Sequence, residues 1–180
     1  GNPCGTCEVC TSTAAGNLVD VIEIDAASNR GIDEIRDLRE KICFAPSHVK
    51  RKVYIIDEVH MLTKEAANAL LKTLEEPPEH AFFCLATTEL HKLPETIISR
   101  CQTFLFERFT LDQLIDRLEF ICKSENFQYE RPALELIARK AEGGLRDAIS
   151  ALEQISAESE QHITEEITRE SLGISNTETL

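Results

Sequence analysis

Residues Lys52-Val53-Tyr54-Ile55-Ile56-Asp57-Glu58-Val59-His60 constrain the fold more than any other stretch. Val53 to Ile56 is an unbroken run of β-branched and aromatic residues, which is strand chemistry. With no polar alternation, the run predicts a strand covered on both faces, as in a parallel sheet flanked by helices. It stops at two adjacent carboxylates, Asp57 and Glu58. Ligands of open α/β sheets bind beyond the carboxyl ends of the strands. An acidic pair there can hold a hydrated Mg²⁺ and position a water, as ATP hydrolysis requires. The same pair can equally do no more than end a strand or open a turn. The stretch alone leaves both readings open.

A chain of 180 residues holds one medium domain or two small ones. Its 42% hydrophobic content suffices for a packed core and argues against disorder. No apolar run approaches a membrane span and no signal-peptide pattern opens the chain, so no membrane partner is expected. A net charge of −13 argues against a protein that coats DNA generally, although a local basic face remains compatible with it. Seven cysteines, an odd number mostly scattered singly in apolar segments, do not read as a disulfide framework. A reducing cytoplasm fits them better. Cys43, Cys84, Cys101 and Cys122 read as small core residues.

Cys4-Gly5-Thr6-Cys7-Glu8-Val9-Cys10 is different, because its spacing gathers three thiolates in one knuckle. Soft thiolates select Zn²⁺, and a structural zinc site takes four ligands. Cys43 and His48 lie beyond a predicted strand and helix, so the fourth ligand is expected upstream of Gly1. The alternative is three free thiols in a surface loop.

The rest of the chain orders itself around the central strand. Leu18 to Ile24 reads as a strand, and Gly31 opens a helix with Ile32, Ile35, Leu38 and Ile42 on one face. Thr63 is a candidate N-cap for a helix with Ala67, Leu70, Leu71 and Leu74 as its stripe, stopping before Pro77-Pro78. Phe82 to Ala86 reads as another buried strand, followed by Thr87-Thr88, a short helix over Pro94 to Ser99, and a strand over Thr103 to Phe106. From Thr110 the pattern is helical: a capping box at Thr110-Leu111-Asp112-Gln113, Pro132 opening a second helix, Gly143-Gly144 closing it, and two further helices. Two domains are expected, an α/β part over 1–108 with the knuckle at 4–10, and a helical part over 109–175.

Several markers now stand in one order: Glu23-Ile24-Asp25-Ala26-Ala27-Ser28, Ile55 through Leu62, Asn68 through Pro78, Leu85-Ala86-Thr87-Thr88, Ser99-Arg100-Cys101 and Glu142-Gly143-Gly144-Leu145-Arg146-Asp147. Together with the knuckle they resemble the AAA+ ATPases of the clamp-loader group, and within it the tau/gamma family of bacterial DNA polymerase III, across nearly the whole chain. The resemblance implies a parallel-sheet, P-loop NTPase-like domain followed by a small helical lid. It implies an ATPase subunit of a DNA polymerase holoenzyme, in which ATP binding and hydrolysis drive loading of a sliding clamp onto primed DNA in the bacterial cytoplasm. ATP, Mg²⁺ and Zn²⁺ are the implied cofactors. The implied partners are other loader subunits (delta, delta-prime and further tau/gamma copies), the sliding clamp and primer–template DNA.

By the same resemblance Asp57 and Glu58 form the Walker B pair, with Asp57 holding Mg²⁺ through its water shell and Glu58 orienting the attacking water. Thr88 matches the first sensor of the γ-phosphate. Arg100 matches the arginine finger offered to a neighbouring subunit's nucleotide, and Arg146 the second sensor, carried by the lid. Such groups suit phosphoryl transfer, which spreads charge over the γ-oxygens. Each also has a plainer reading. Arg100 can be a solvated loop cation, Thr88 a cap for the next turn, Arg146 a helix-surface partner of Asp147 or Glu142, and His60 a packed histidine.

One family feature is not found between residues 1 and 180. None of the seven glycines is followed by Lys-Ser or Lys-Thr, so there is no G-x-x-x-x-G-K-[ST] cradle for phosphates. The expectation is a chain lacking an N-terminal portion that carries both the P-loop and the fourth zinc ligand, and lacking a C-terminal oligomerising collar. Such a chain alone is expected to be inactive. The competing expectation is a non-hydrolysing, delta-prime-like structural subunit that donates an arginine finger; the Asp57-Glu58 pair with Arg146 speaks against it. Arg30, Arg36, Arg39 and Lys41 are candidate DNA-phosphate contacts, but Asp33, Glu34, Asp37 and Glu40 interleave with them as on an ordinary solvated helix.

Overall fold

The computed structural model describes residues 3–29, 31–47, 49–159 and 162–174, and all their side chains but that of Arg39. Arg30, His48 and the Arg39 side chain, weighed above as ligands or phosphate contacts, fall outside the described residues. The chain forms two compact units, Gly1–Phe104 and Leu105–Leu180. Among the described residues, no helix is long and apolar enough to cross a membrane.

The first unit opens with helix α1 (Glu8–Ala14), which the cysteine spacing did not foreshadow. Strands β1 (Val21–Asp25), β2 (Lys52–Asp57) and β3 (Ala81–Leu85) then form a three-stranded parallel sheet in the order β1-β2-β3. Helix α2 (Ile32–Ile42) links β1 to β2, and α3 (Lys64–Glu75) links β2 to β3. The register sets Ile22, Tyr54 and Phe83 in one row and Ile24, Ile56 and Leu85 in the next. These rows pack with Ile35, Leu38 and Ile42 of α2 and with Ala66 and Leu70 of α3 in one apolar cluster. Tyr54 stacks on Phe83 at 5.5 Å between ring centroids. Burying each large aliphatic side chain is worth about 1.5–3 kcal/mol, so this layer carries the unit's stability.

The opposite rows, Val21-Val53-Phe82 and Glu23-Ile55-Cys84, have no helix layer among the described residues. Several expectations are corrected here. Neither the central strand nor the Phe82 strand is covered on both faces: Val53 and Ile55 are half-buried, Phe82 is 52% exposed and Cys84 is exposed, because among the described residues α2 and α3 cover one face only. Thr103 to Phe106 forms no strand, and Phe104, Leu105 and Phe106 are exposed, because the run meets no ladder partner among the described residues. Cys43 is also exposed and Cys101 only half-buried, which leaves Cys122 as the buried cysteine among those read as core residues.

The second unit packs α5 (Leu111–Glu125), α6 (Arg131–Lys140), α7 (Leu145–Glu158) and α8 (Glu165–Ser171), with a short parallel pair β4 (Gln128–Tyr129) and β5 (His162–Ile163) that the helical pattern concealed. The Thr110 box forms as expected, with Thr110 Oγ1 accepting from the Gln113 amide and Gln113 Oε1 accepting from the Thr110 amide. Leu114, Leu118, Leu134, Ile137, Leu152 and Ile155 make the core. Gly143 has φ +87, and a Cβ there would stand 2.7 Å from Cβ of Arg108. Backbone conformation and close approach thus both require glycine at this turn.

Candidate active site

Parallel pairing aligns the carboxyl ends of all three strands, and the acidic residues collect there. Asp25 pairs in register with Asp57, and the Ala26 amide donates to the Asp57 carbonyl at 2.9 Å. Asp57 is exposed, and its Oδ1 accepts from the Glu58 amide at 2.9 Å. The Asp25 carboxyl is held below its ordinary value, first by the Ser28 hydroxyl and then by the Ala27 amide.

At Glu58 the chain leaves the strand in the left-handed region, with φ 48 and ψ 44. The 3₁₀ turn Val59–Met61 follows, and the Val59 amide donates to the Ala86 carbonyl at 3.0 Å. This turn carries the Glu58 side chain across to the end of β3. The Thr88 amide donates to Glu58 Oε2 at 3.2 Å, and the Thr88 hydroxyl reaches the same oxygen at 3.0 Å. Glu58 and Thr88, thirty positions apart in the sequence, thus meet. Thr88 serves Glu58 rather than a helix cap; it is Thr87 whose hydroxyl accepts the Glu89 amide, at 3.0 Å.

His60 is packed, with its side chain only 6% exposed, yet it is not isolated. Its Nδ1 lies 2.9 Å from Thr87 Oγ1 and 3.1 Å from Glu58 Oε2, and its Nε2 lies 3.1 Å from Glu89 Oε2. Glu89 also binds Lys92 at 2.7 Å, and that contact leads the causes that lower its carboxyl. Sequence reasoning missed Thr87 and Glu89. Their position beside Thr88, immediately after a strand end, was the available signal.

Arg100 follows the short helix α4 (Glu95–Ile98). Its Nη2 lies 2.7 Å from Glu75 Oε1 at the end of α3, and its Nη1 donates to the Thr96 carbonyl at 2.8 Å. Arg146 lies in the second unit, exposed in the first turn of α7, and no ion pair joins it to a described carboxylate, including Asp147 and Glu142. Of the basic candidates in α2, Arg36 pairs with Asp33 at 3.3 Å on an exposed helix surface.

In the knuckle, Cys4 Sγ and Cys10 Sγ are 3.9 Å apart, and the three sulfurs including Cys7 lie within 4.8 Å of one another. A tetrahedral Zn²⁺ with Zn–S of about 2.3 Å sets its sulfurs about 3.8 Å apart, so this donor set fits the ion. The Thr6 and Cys7 backbone amides lead the contacts that bring the Cys4 thiol down to about 6, which favours the ligating thiolate. Among the described residues, the cluster contains no fourth ligand.

Residues 1–110 match the family model described as "DNA polymerase III, delta subunit", and residues 113–161 match "DNA polymerase III clamp loader subunit, ATPase lid domain". The chain is 60% identical over 152 residues to DNA polymerase III subunit tau of Bacillus subtilis, covering 84% of this chain and 27% of the relative. It is 47% identical over 171 residues to the tau subunit of Escherichia coli, covering 95% and 27%. It is 44% identical over 173 residues to the gamma subunit of a Buchnera aphidicola strain, covering 96% and 47%. The chain therefore spans between 27% and 47% of the length of these relatives. Among solved structures it resembles a DNA polymerase III gamma subunit-related protein of Thermotoga maritima at 30% identity and TM-score 0.51, covering 76% of this chain and 47% of that one. It also resembles the Thermotoga maritima RuvB Holliday junction branch migration motor at TM-score 0.64, covering 92% and 65%. At 18% identity the latter likeness concerns the fold alone, an AAA+ α/β sheet followed by a helical lid-like region.

Proposed function

The chain belongs to the tau/gamma family of bacterial DNA polymerase III clamp-loader subunits, and from that premise we propose that it contributes the hydrolytic carboxylates of an ATP-driven clamp-loader motor. The observation that carries this reading is the meeting of Glu58 with Thr88 beside Asp57, at the carboxyl ends of β2 and β3. Asp57, exposed at the strand end, has the position and chemistry to hold Mg²⁺ through its water shell. Glu58 orients the attacking water, and the Thr88 hydroxyl and amide fix its carboxylate. Bound Mg²⁺–ATP supplies the γ-phosphoryl group and neutralises its oxygens. Arg100 serves a neighbouring subunit's nucleotide, and Arg146 senses the nucleotide of its own subunit. Other loader subunits, the sliding clamp and primer–template DNA are the partners on this reading, the cytoplasm is its compartment, and zinc on Cys4, Cys7 and Cys10 is structural.

A delta-like or delta-prime-like structural subunit is the second reading, favoured by the family description matched over residues 1–110. The identity to tau subunits and the Glu58–Thr88 arrangement weigh toward the motor. The test is phosphate release from Mg²⁺–ATP by an assembled loader carrying this subunit, against the same loader with Glu58→Gln. Loss of a general base removes about 10²–10⁴-fold in rate, so turnover should fall by that order while ATP binding persists. Unchanged turnover would assign the subunit to the structural class. Residues 1–180 offer no glycine-lysine cradle for the β- and γ-phosphates, so the chain alone should release phosphate at background level.

A further inference from the structure

We propose that His60 is a positioning residue for Glu58, and that it ties the Glu58 carboxylate to Glu89 through the two nitrogens of one buried imidazole. The proposal rests on the reading of Glu58 as the water-orienting carboxylate. It starts from the environment of the ring. His60 is almost fully enclosed, and both nitrogens face oxygen: Glu58 Oε2 and Thr87 Oγ1 at Nδ1, Glu89 Oε2 at Nε2. A core histidine that only fills space needs one partner for its one N–H. This ring sits between carboxylates from two different segments, one after β2 and one after β3.

Nδ1 forms its hydrogen bond with Thr87 Oγ1 at 2.9 Å, and one carboxylate oxygen lies 3.1 Å from each ring nitrogen, Glu58 Oε2 at Nδ1 and Glu89 Oε2 at Nε2. Glu58 and Glu89 face the ring directly, Lys92 Nζ shares Glu89 Oε2 with it at 2.7 Å, and His91 Nε2 lies 3.9 Å from Glu89 Oε1. Lys92 is the leading cause that keeps Glu89 ionised, so Glu89 meets the ring as an anion.

The consequence is mechanical. Glu58 leaves β2 on a single left-handed residue, and among the described residues its carboxylate is otherwise held by Thr88. Thr88 holds the carboxylate from the β3 side, and His60 holds the same Oε2 from the turn beneath it. A water-orienting carboxylate gains rate from such fixation, because small misplacements are costly. Glu89 never touches the reacting atoms, and it acts on Glu58 only through His60.

The experiment is a double-mutant cycle in the assembled loader. His60→Gln should lower kcat for ATP hydrolysis by about ten- to a hundredfold with KM for ATP unchanged, and Glu89→Gln by about tenfold, the range seen when an orienting partner is removed. In the His60→Gln background, Glu89→Gln should have no further effect. Glu89 is partly exposed, so its variant tests the idea even if His60→Gln fails to fold. Unchanged kcat in Glu89→Gln, or equal effects of Glu89→Gln in both backgrounds, would each overturn the proposal. If Glu58→Gln itself leaves turnover intact, the reading of Glu58 fails instead, and the two failures are distinct.

Discussion

Arg100 closes on Glu75 with Nη2 2.7 Å from Oε1, so the guanidinium proposed to serve a neighbour is engaged by a carboxylate of its own chain. The pair is partly exposed, at 35% and 48% for the two side chains, and such pairs are worth about 0–1 kcal/mol. If Arg100 serves a neighbour's nucleotide as proposed, that concentrated negative charge would outcompete Glu75 at little expense. Arg100→Ala should reduce hydrolysis at the neighbouring site by about 10³–10⁵-fold, the range for arginine fingers, while its own subunit still binds ATP. Mixed rings with one mutant position measure this. Loss of ATP binding in the mutant subunit, with the neighbour unaffected, would contradict the assignment.

Zinc on the knuckle should support folding rather than chemistry. Cys7→Ser in the whole protein should lower metal content and thermal stability before it lowers ATP turnover per folded molecule. Elemental analysis paired with a melting curve checks both. A wild type without zinc would remove the site from the account.

The Asp25 carboxyl gives a pH prediction. Its folded value lies below the ordinary 3.8, with the Ser28 hydroxyl as the leading cause. A carboxyl depressed on folding stabilises the native state above its unfolded value, and the contribution is lost as pH falls through the folded one. Ser28→Ala should therefore raise the Asp25 midpoint toward 3.8 and shrink the stability difference between neutral and acid pH. Carbon-13 NMR titration of the side chain reads the first effect, and urea melts at neutral and acid pH read the second. A midpoint unmoved by Ser28→Ala would show that the hydroxyl is not the cause.

What the sequence made legible follows from the range of the forces involved. The Thr110 capping box and the carboxyl-end placement of Asp57 are local, and they stand as read. Coverage of a sheet face is not local. The apolar run Phe82-Phe83-Cys84 is the same whether one helix layer or two lie over it, so the exposure of Phe82 and Cys84 had no signature in the run itself. Strand character over Thr103 to Phe106 failed for a related reason: a strand needs a partner, and propensity does not supply one. In the candidate site, the residue types at Asp57, Glu58 and Thr88 were legible. The roles of Glu75, Thr87 and Glu89 were not, because each depends on contacts between segments far apart in the chain.

Glu58 has φ 48, a conformation that disfavours any side chain by about 1–2 kcal/mol relative to glycine. Selection for durability and selection for turnover therefore pull this position in opposite directions. A library screened only for heat resistance should drift toward Gly or Asn at residue 58, discarding the carboxylate while easing the backbone. One screened for clamp loading should retain Glu58 and accept the lower melting point. On the proposed function, the left-handed residue at the end of β2 is where robustness would be exchanged for work.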